Sequence, residues 1–301
     1  MEAVTGRDQE FDGADWSPRH ELAPGLHVVA TPIGNLGDIT LRALWVLRNV
    51  DRILCEDTRV TAKLLARYGI EKPLDPYHDH NADRVRPAVI EALRRGEKLA
   101  LVSDAGTPLV SDPGYKLVRE AVAEGVPVTA APGPSAALTS LTLSGLPPDT
   151  FLFAGFLPPR SAARQRGLAA WDGLPATLIF FEGPSRLAAA LTDMAEVLGD
   201  RTAAVARELT KRHEEVRRGR LCELADHYRN AGPPRGEVVI VVGPPEPLIR
   251  TSDADLDERL RGMLRTQSLR DAVAALAGET GMPRRRLYER ALALQSADGE
   301  A

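Results

Sequence analysis

The chain is short of cysteine, has no long apolar run and carries no surplus of positive charge, and each shortage narrows its function. Cys55 and Cys222 are the two cysteines in 301 residues. They lie far apart and match no zinc-ligand spacing, which fits a reducing cytoplasm. No apolar stretch approaches the ~20 residues of a membrane span, so no membrane partner is expected. The N-terminal segment is acidic (Glu2, Asp8, Glu10, Asp12, Asp15) and has no apolar signal core. Export is therefore not expected, and residues 1–24 read as a disordered acidic leader. A formal net charge of −4 excludes a uniformly basic nucleic-acid binder but leaves room for local basic patches. The G-x-G-x-x-G and G-x-x-x-x-G-K-[ST] fingerprints are absent as well, which argues against a dehydrogenase or an NTPase.

What is present is the composition of a globular protein, 44% apolar and 27% charged, long enough for two domains. Short apolar strands alternate with helices: Leu26–Ala30, a helix after Thr40, Asp51–Cys55, a helix through Leu64, a helix over 88–95, Leu99–Val102, a helix over 115–124, and Val126–Ala130. This order predicts an α/β domain (25–146) on a largely parallel sheet with helices on both faces. Leu138–Pro148 reads as a helix end and a proline-rich hinge. A second α/β domain (147–245) follows, with strands Phe151–Phe156, Thr177–Phe181, Ala203–Arg207 and Glu237–Val242, and a helix Leu187–Leu198. The run from Gly243 to Pro247 reads as a linker, and residues 246–301 as a linker and small helical domain. Ser268 and Asp271 resemble a capping box ahead of Leu269, Val273 and Leu276. A turn over 278–282 and Pro283 then open a last helix carrying Leu287, Ala291 and Leu294, as in a helix-turn-helix unit.

The richest segment runs from Leu99 to Gly114, LALVSDAGTPLVSDPG. A buried strand enters a long loop of glycines, prolines and two Asp-bearing turns, where open α/β sheets place their ligands. Plain connections of this kind run only ~2–6 residues. Pro132–Ala136 adds a narrow wall of small residues after another strand end. A flat adenine or a thioether fits against such backbone.

In order along the chain stand TPIGNLGDITLRA, EDTR, HDHN, SDAGTPLVSDPG, APGPSA, ARELTK and RGEVV. On these seven motifs the chain resembles the 16S ribosomal RNA cytidine 2′-O-methyltransferases, a family of the tetrapyrrole methylase fold. The resemblance spans roughly residues 26–245. It implies two α/β domains with an S-adenosylmethionine cleft between them, a homodimer, and 16S rRNA of the small ribosomal subunit as partner. Carried over by position, the cofactor contacts are Pro32, Ser103, Asp104, Thr107, Ser135, Ala136, Glu182 and Leu209. Ser185 stands where that family commonly has a His. A ribose hydroxyl is a poor nucleophile, so a base or a nearby cation is required. Lys211, Glu208 and Asp57 are the catalytic candidates, with Glu56 also considered. Asn35, Arg59, His78, His80 and Arg212 are candidates for substrate contact. His78 and His80 flank an Asp without a third ligand, so no metal is expected.

RNA requires positive surface, and three clusters are candidates: Arg160, Arg164 and Arg166; Lys211, Arg212, Arg217, Arg218 and Arg220; Arg284, Arg285, Arg286 and Arg290. The alternative is a methylase of the same fold acting on a tetrapyrrole of the precorrin type. The SDAGTP and PGPSA loops do not separate the two.

Overall fold

The computed structural model describes residues 21–245, 253–280 and 284–299. The first half comprises β1 (Gly25–Val29), α1 (Leu41–Asn49), β2 (Arg52–Cys55), α2 (Thr58–Arg67), β3 (Leu74–Pro76), α3 (Ala82–Arg94), β4 (Lys98–Val102), α4 (Tyr115–Ala123) and β5 (Val128–Ala131). Its five strands form one sheet in the order β3-β2-β4-β1-β5, and every pair is parallel. Strand periodicity splits β4 between two cores. Leu99 and Leu101 pack with α3 and α4, through Val89, Ile90, Leu93 and Leu117. Ala100 and Val102 pack with α1 and α2, through Leu44, Leu47, Leu64 and Leu65. The expected parallel sheet covered on both faces is what forms. Thr40 caps α1 as expected, its hydroxyl accepting from the Ala43 N–H at 3.1 Å.

The second half comprises α5 (Ala136–Ser144), β6 (Phe151–Phe156), α6 (Ser161–Ala169), β7 (Thr177–Glu182), α7 (Leu187–Leu198), β8 (Thr202–Arg207), β9 (Glu215–Arg220), α8 (Leu221–Ala231) and β10 (Val238–Val242). Its sheet runs β6-β7-β10-β8-β9; only β6 and β7 are parallel. One face, with Leu178, Phe180, Val205 and Ile240, is covered by α6, α7 and α8. The other, with Ile179, Val239 and Val241, meets Ala137 and Leu141 of α5 together with Ile33 and Leu209. The segment read as a helix end and hinge is therefore a complete helix lying on the second sheet, and it stops at Gly145.

Other expectations shift. Leu22 is already buried against the first sheet's core, inside the segment assigned to the leader, while residues 1–20 lie outside the described residues. Helix α3 starts at Ala82 rather than 88 and carries Pro87 inside it. The Asn81 side chain accepts from the His78 N–H and donates to the Pro76 carbonyl, closing the turn that starts α3 early. Strand β9 was not read from the sequence because its charged run EVRRGR lacks apolar alternation. It is a sheet edge, where charge blocks pairing with other chains.

Residues from Pro245 onward form a separate unit of α9 (Asp253–Leu264), α10 (Leu269–Thr280) and α11 (Arg284–Gly299). Leu256, Leu260, Val273, Leu276, Leu287, Ala291 and Leu294 make its core. The Asp271 N–H donates to the Ser268 hydroxyl, as the capping box requires. Helix α10 continues through Gly278 to Thr280, where a turn was expected. Met282, Pro283, Glu246 and Pro247 lie outside the described residues. No described helix is long and apolar enough to cross a membrane.

Candidate active site

The carboxyl ends of β1, β4 and β5 face β6, β7 and β10 across a cleft of about 480 Å³, within the range of small-molecule sites. Its first wall is the loop after β4. Thr31 and Gly106 exchange backbone hydrogen bonds at 2.9 and 3.0 Å, joining that loop to the β1 loop. The Thr107 hydroxyl donates to the Pro134 carbonyl at 3.2 Å, joining it to the small-residue wall. Asp104, Thr107, Ser135, Ala136, Glu182 and Leu209 line the cleft. Pro32 and Ser103 are buried and do not line it. Ser103 works beneath, its carbonyl accepting from the Thr31 hydroxyl and its own hydroxyl donating to the Ala105 carbonyl.

The cleft is acidic. Glu56, Asp104, Asp112, Glu182 and Glu237 line it, and among the described residues no Lys, Arg or His does. Burial pushes Glu56, Asp104 and Asp112 above the ordinary carboxylate range, and the charge of Asp104 adds to the effect at Glu56 and Asp112. Glu182 is 3% exposed. One of its oxygens accepts from the Gly183 N–H at 2.7 Å and pairs with Arg186 at 2.6 Å. The other is buried and has no hydrogen-bond partner among the described residues. A buried acceptor is costly to leave unmet, and an acidic, concave site favours a cation bearing N–H or O–H donors. S-adenosylmethionine, with its sulfonium, ammonium, amino and hydroxyl groups, fits that requirement; a polyphosphate does not.

At the rim, Lys211 Nζ donates to Glu208 Oε1 and to Glu237 Oε2, both at 2.8 Å. Partial burial alone lowers the Lys211 ammonium, but these two hydrogen bonds outweigh it and hold the group above its ordinary range. The Lys211 bond in turn holds Glu208 below the carboxylate range. The lysine stem lies on Gly34, where an added Cβ would come within 2.5 Å of Lys211 Cγ. The Asn35 N–H donates to the Thr210 hydroxyl at 3.1 Å, so the β1 loop and the ARELTK loop clasp each other. Leu109, Ser111, Glu208 and Thr210 have left-handed backbone, and among the described residues no other non-glycine does. All four belong to the two loops that shape the cleft, a concentration of strain common at working sites.

The remaining candidates occupy a shallower pocket of about 400 Å³ that shares Glu56 and Asp104 with the cleft. Asp57, Arg59, His78 and His80 line it. The Asp57 side chain caps α2 and pairs with Arg59 at 2.6 Å. Those hydrogen bonds lower its carboxyl to about 2, which makes it a poor proton acceptor at neutral pH. His78 Nδ1 is buried without a partner, and its ring meets His80 edge-on at 5.9 Å. Among the described residues, no three His, Cys, Asp or Glu side chains are arranged to hold a metal.

The basic clusters separate. Arg164 is 3% exposed and pairs with the buried Asp193 at 2.6 Å, so it is a core ion pair and not surface charge. Arg218 donates to the carbonyls of Leu143 and Ser144, Arg217 pairs with Glu215, and Arg290 pairs with Asp257. Arg160, Arg166, Arg212, Arg284 and Arg285 are exposed. Sequence reasoning missed Arg207, His213 and Arg235, which with Glu208 line a pocket of about 320 Å³ behind the Lys211 cluster. It also missed Glu237, although RGEVV had marked the segment, and Phe156 and Phe181, whose aromatic character alone carries no signal.

The family model for tetrapyrrole (corrin/porphyrin) methylases matches residues 25–225, and the chain belongs to that family. A second family model, the RsmI C-terminal HTH domain, matches residues 250–295. Among curated relatives, the chain is 52% identical over 284 residues to the ribosomal RNA small subunit methyltransferase I of Mesorhizobium japonicum, covering 94% of this chain and 96% of that one. It is 49% identical over 271 residues to the protein of the same name from Micromonospora olivasterospora, covering 88% and 85%. A solved uroporphyrin-III C-methyltransferase from Thermus thermophilus, complexed with S-adenosylhomocysteine, superposes with a TM-score of 0.52 at 20% identity, covering 73% of this chain and 97% of that one. At that identity the superposition establishes the fold alone.

Proposed function

We propose that this protein transfers a methyl group from S-adenosylmethionine to the ribose 2′-hydroxyl of a cytidine in 16S rRNA of the small ribosomal subunit. The observation that carries the reading is the 52% identity to a ribosomal RNA small subunit methyltransferase I over 94% of the chain. The acidic cleft supports it, since it suits a sulfonium cofactor.

When bound, the cofactor supplies an electrophilic methyl and is left as a neutral thioether. Asp104 and the buried second oxygen of Glu182 would accept hydrogen bonds from it, and Thr107, Ser135, Ala136 and Leu209 would form the surface that holds it. Lys211, at the rim, favours the ionised form of the ribose hydroxyl. Glu208 fixes the lysine, and Glu237, the carboxylate on Lys211 that lines the cleft, takes the hydroxyl proton as the new C–O bond forms and the C–S bond breaks. Arg207, Arg212, His213 and Arg235 beside that rim meet RNA phosphates. A division into α/β domains near residue 146, a homodimer and a cytoplasmic location belong to the same reading; sedimentation of the purified protein checks the dimer.

The test is methyl transfer from labelled S-adenosylmethionine to small ribosomal subunits lacking the modification, with naked rRNA and a tetrapyrrole as parallel acceptors. Label on a cytidine ribose is the expected result. Label on the tetrapyrrole alone overturns the substrate and keeps the fold.

A further inference from the structure

Strand β6 ends in an irregularity that changes what its last residue faces. Phe151, Leu152 and Phe153 pair in register with Thr177, Leu178 and Ile179 of β7, but Gly155 and Phe156 pair with Phe180 and Phe181, so Ala154 is an extra residue. Up to and including the extra residue, alternation is regular: Leu152 and Ala154 pack into the core under α6–α8, and Phe153 packs on the opposite face with Phe181. Had the alternation run on unbroken through Ala154, with no register shift, Phe156 would share the parity of Leu152 and Ala154 and enter that core. The bulge reverses it, and Phe156 lines the cleft, edge-on to Phe181 at 5.6 Å between ring centres. Gly155 permits the bulge with φ of +66°, and a Cβ there would meet Ser111 Oγ of the opposite loop at 3.3 Å. Bulges beside active sites commonly re-aim a side chain in this way.

The re-aimed ring is 57% exposed and presents a flat aromatic face to a cleft whose charged lining residues are all carboxylates. Carboxylates within the cleft repel phosphates, so of an RNA only the uncharged base and sugar of one nucleotide can enter. A base taken out of its stack is held by a flat, polarisable partner. We propose that Phe156, backed by Phe181, is the platform on which the base of the target nucleotide stacks while its ribose is methylated. The inference rests on the ribose-methyltransferase reading above and adds to it the residue that seats the base.

The experiment compares Phe156→Ala and Phe156→Tyr with the intact protein on small subunits lacking the modification, at saturating S-adenosylmethionine, with cofactor affinity measured by calorimetry and assembly state by sedimentation. Loss of one stacking partner is expected to lower kcat/KM for the subunit roughly tenfold or more, while Phe156→Tyr retains it and cofactor affinity is unchanged in both. An unchanged kcat/KM for Phe156→Ala overturns the proposal. So does an equal loss of cofactor affinity, which makes the ring a cofactor contact, or a shift in assembly state, which makes it an interface between copies. If the intact protein labels only the tetrapyrrole, the functional reading fails first and the platform with it; if the intact protein labels ribose and the variant does so equally, only the platform fails.

Discussion

Lys211 is held between two carboxylates, and that arrangement decides what its loss does. Removing the ammonium leaves Glu208 and Glu237 without their shared cation at the rim, and touches none of Asp104, Asp112 and Glu182 in the cleft wall. Lys211→Ala is expected to lower kcat by roughly a hundredfold with cofactor affinity changed little; an affinity loss alone would make it a binding residue. Asp104 has the opposite signature. It lines the cleft, its oxygen accepts from the Asp57 N–H at 3.1 Å, and Asp104→Ala should weaken cofactor binding by about tenfold or more, read by calorimetry. The raised carboxylates of Glu56, Asp104 and Asp112 also fix a pH dependence. A carboxyl whose folded pKa lies above its unfolded one costs stability as pH rises from the unfolded value through the folded one. That cost grows as pH rises through the folded value, and a bound cation relieves it. The rise in Tm given by S-adenosylmethionine should therefore be larger at about pH 7 than at about pH 5, and larger than that given by the thioether product, which lacks the sulfonium charge. Equal shifts at both pH values would detach these groups from the ligand.

Elements are tied together by polar contacts that the hydrophobic pattern does not show. Arg164 on α6 reaches Asp193 on α7, and Asp193 also accepts from Ser161 and Gln165. Both charges are buried, so breaking the pair leaves a guanidinium without its counter-charge. Asp193→Ala should destabilise the protein by about 3–5 kcal/mol, measured by urea unfolding, and replacing both residues by apolar ones of similar size should recover most of that loss. Reading Arg164 as RNA-facing charge was a natural step from sequence, because its neighbours Arg160 and Arg166 are exposed. Only the helix that packs on it distinguishes the three. Strand β9 shows the same limit: its arginines hide an edge strand, and two of them settle on nearby carbonyls and a glutamate.

The molecule consists of a body ending at Pro244 and a C-terminal unit with its own apolar core. A chain ending at Pro244 should bind S-adenosylmethionine as the full chain does, since every cleft-lining residue precedes that point. Its affinity for the undermodified small subunit should fall, checked by filter binding; equal affinity would leave the C-terminal helices without a role in substrate capture.

Much of this was legible in the sequence because it depends on neighbours along the chain. Strand and helix periods, the Thr40 and Ser268 caps, and glycine- and proline-rich loops at strand ends are local, and they placed the parallel sheet and the loop that walls the cleft. The family resemblance grouped Asp104, Thr107, Ser135, Ala136, Glu182 and Leu209, and all six line one cleft. The tertiary structure decided what depends on distant residues: the antiparallel pairing of the second sheet, the seating of α5 upon it, the burial of Arg164 and the pairing of Lys211 with Glu237, which is 26 positions away. It also decided the direction of Phe156, since a single extra residue in a strand has no signature in composition and appears only against its partner's register. Local patterns report a residue's own conformation; charge, burial and the facing of a side chain are set by what the fold brings against it.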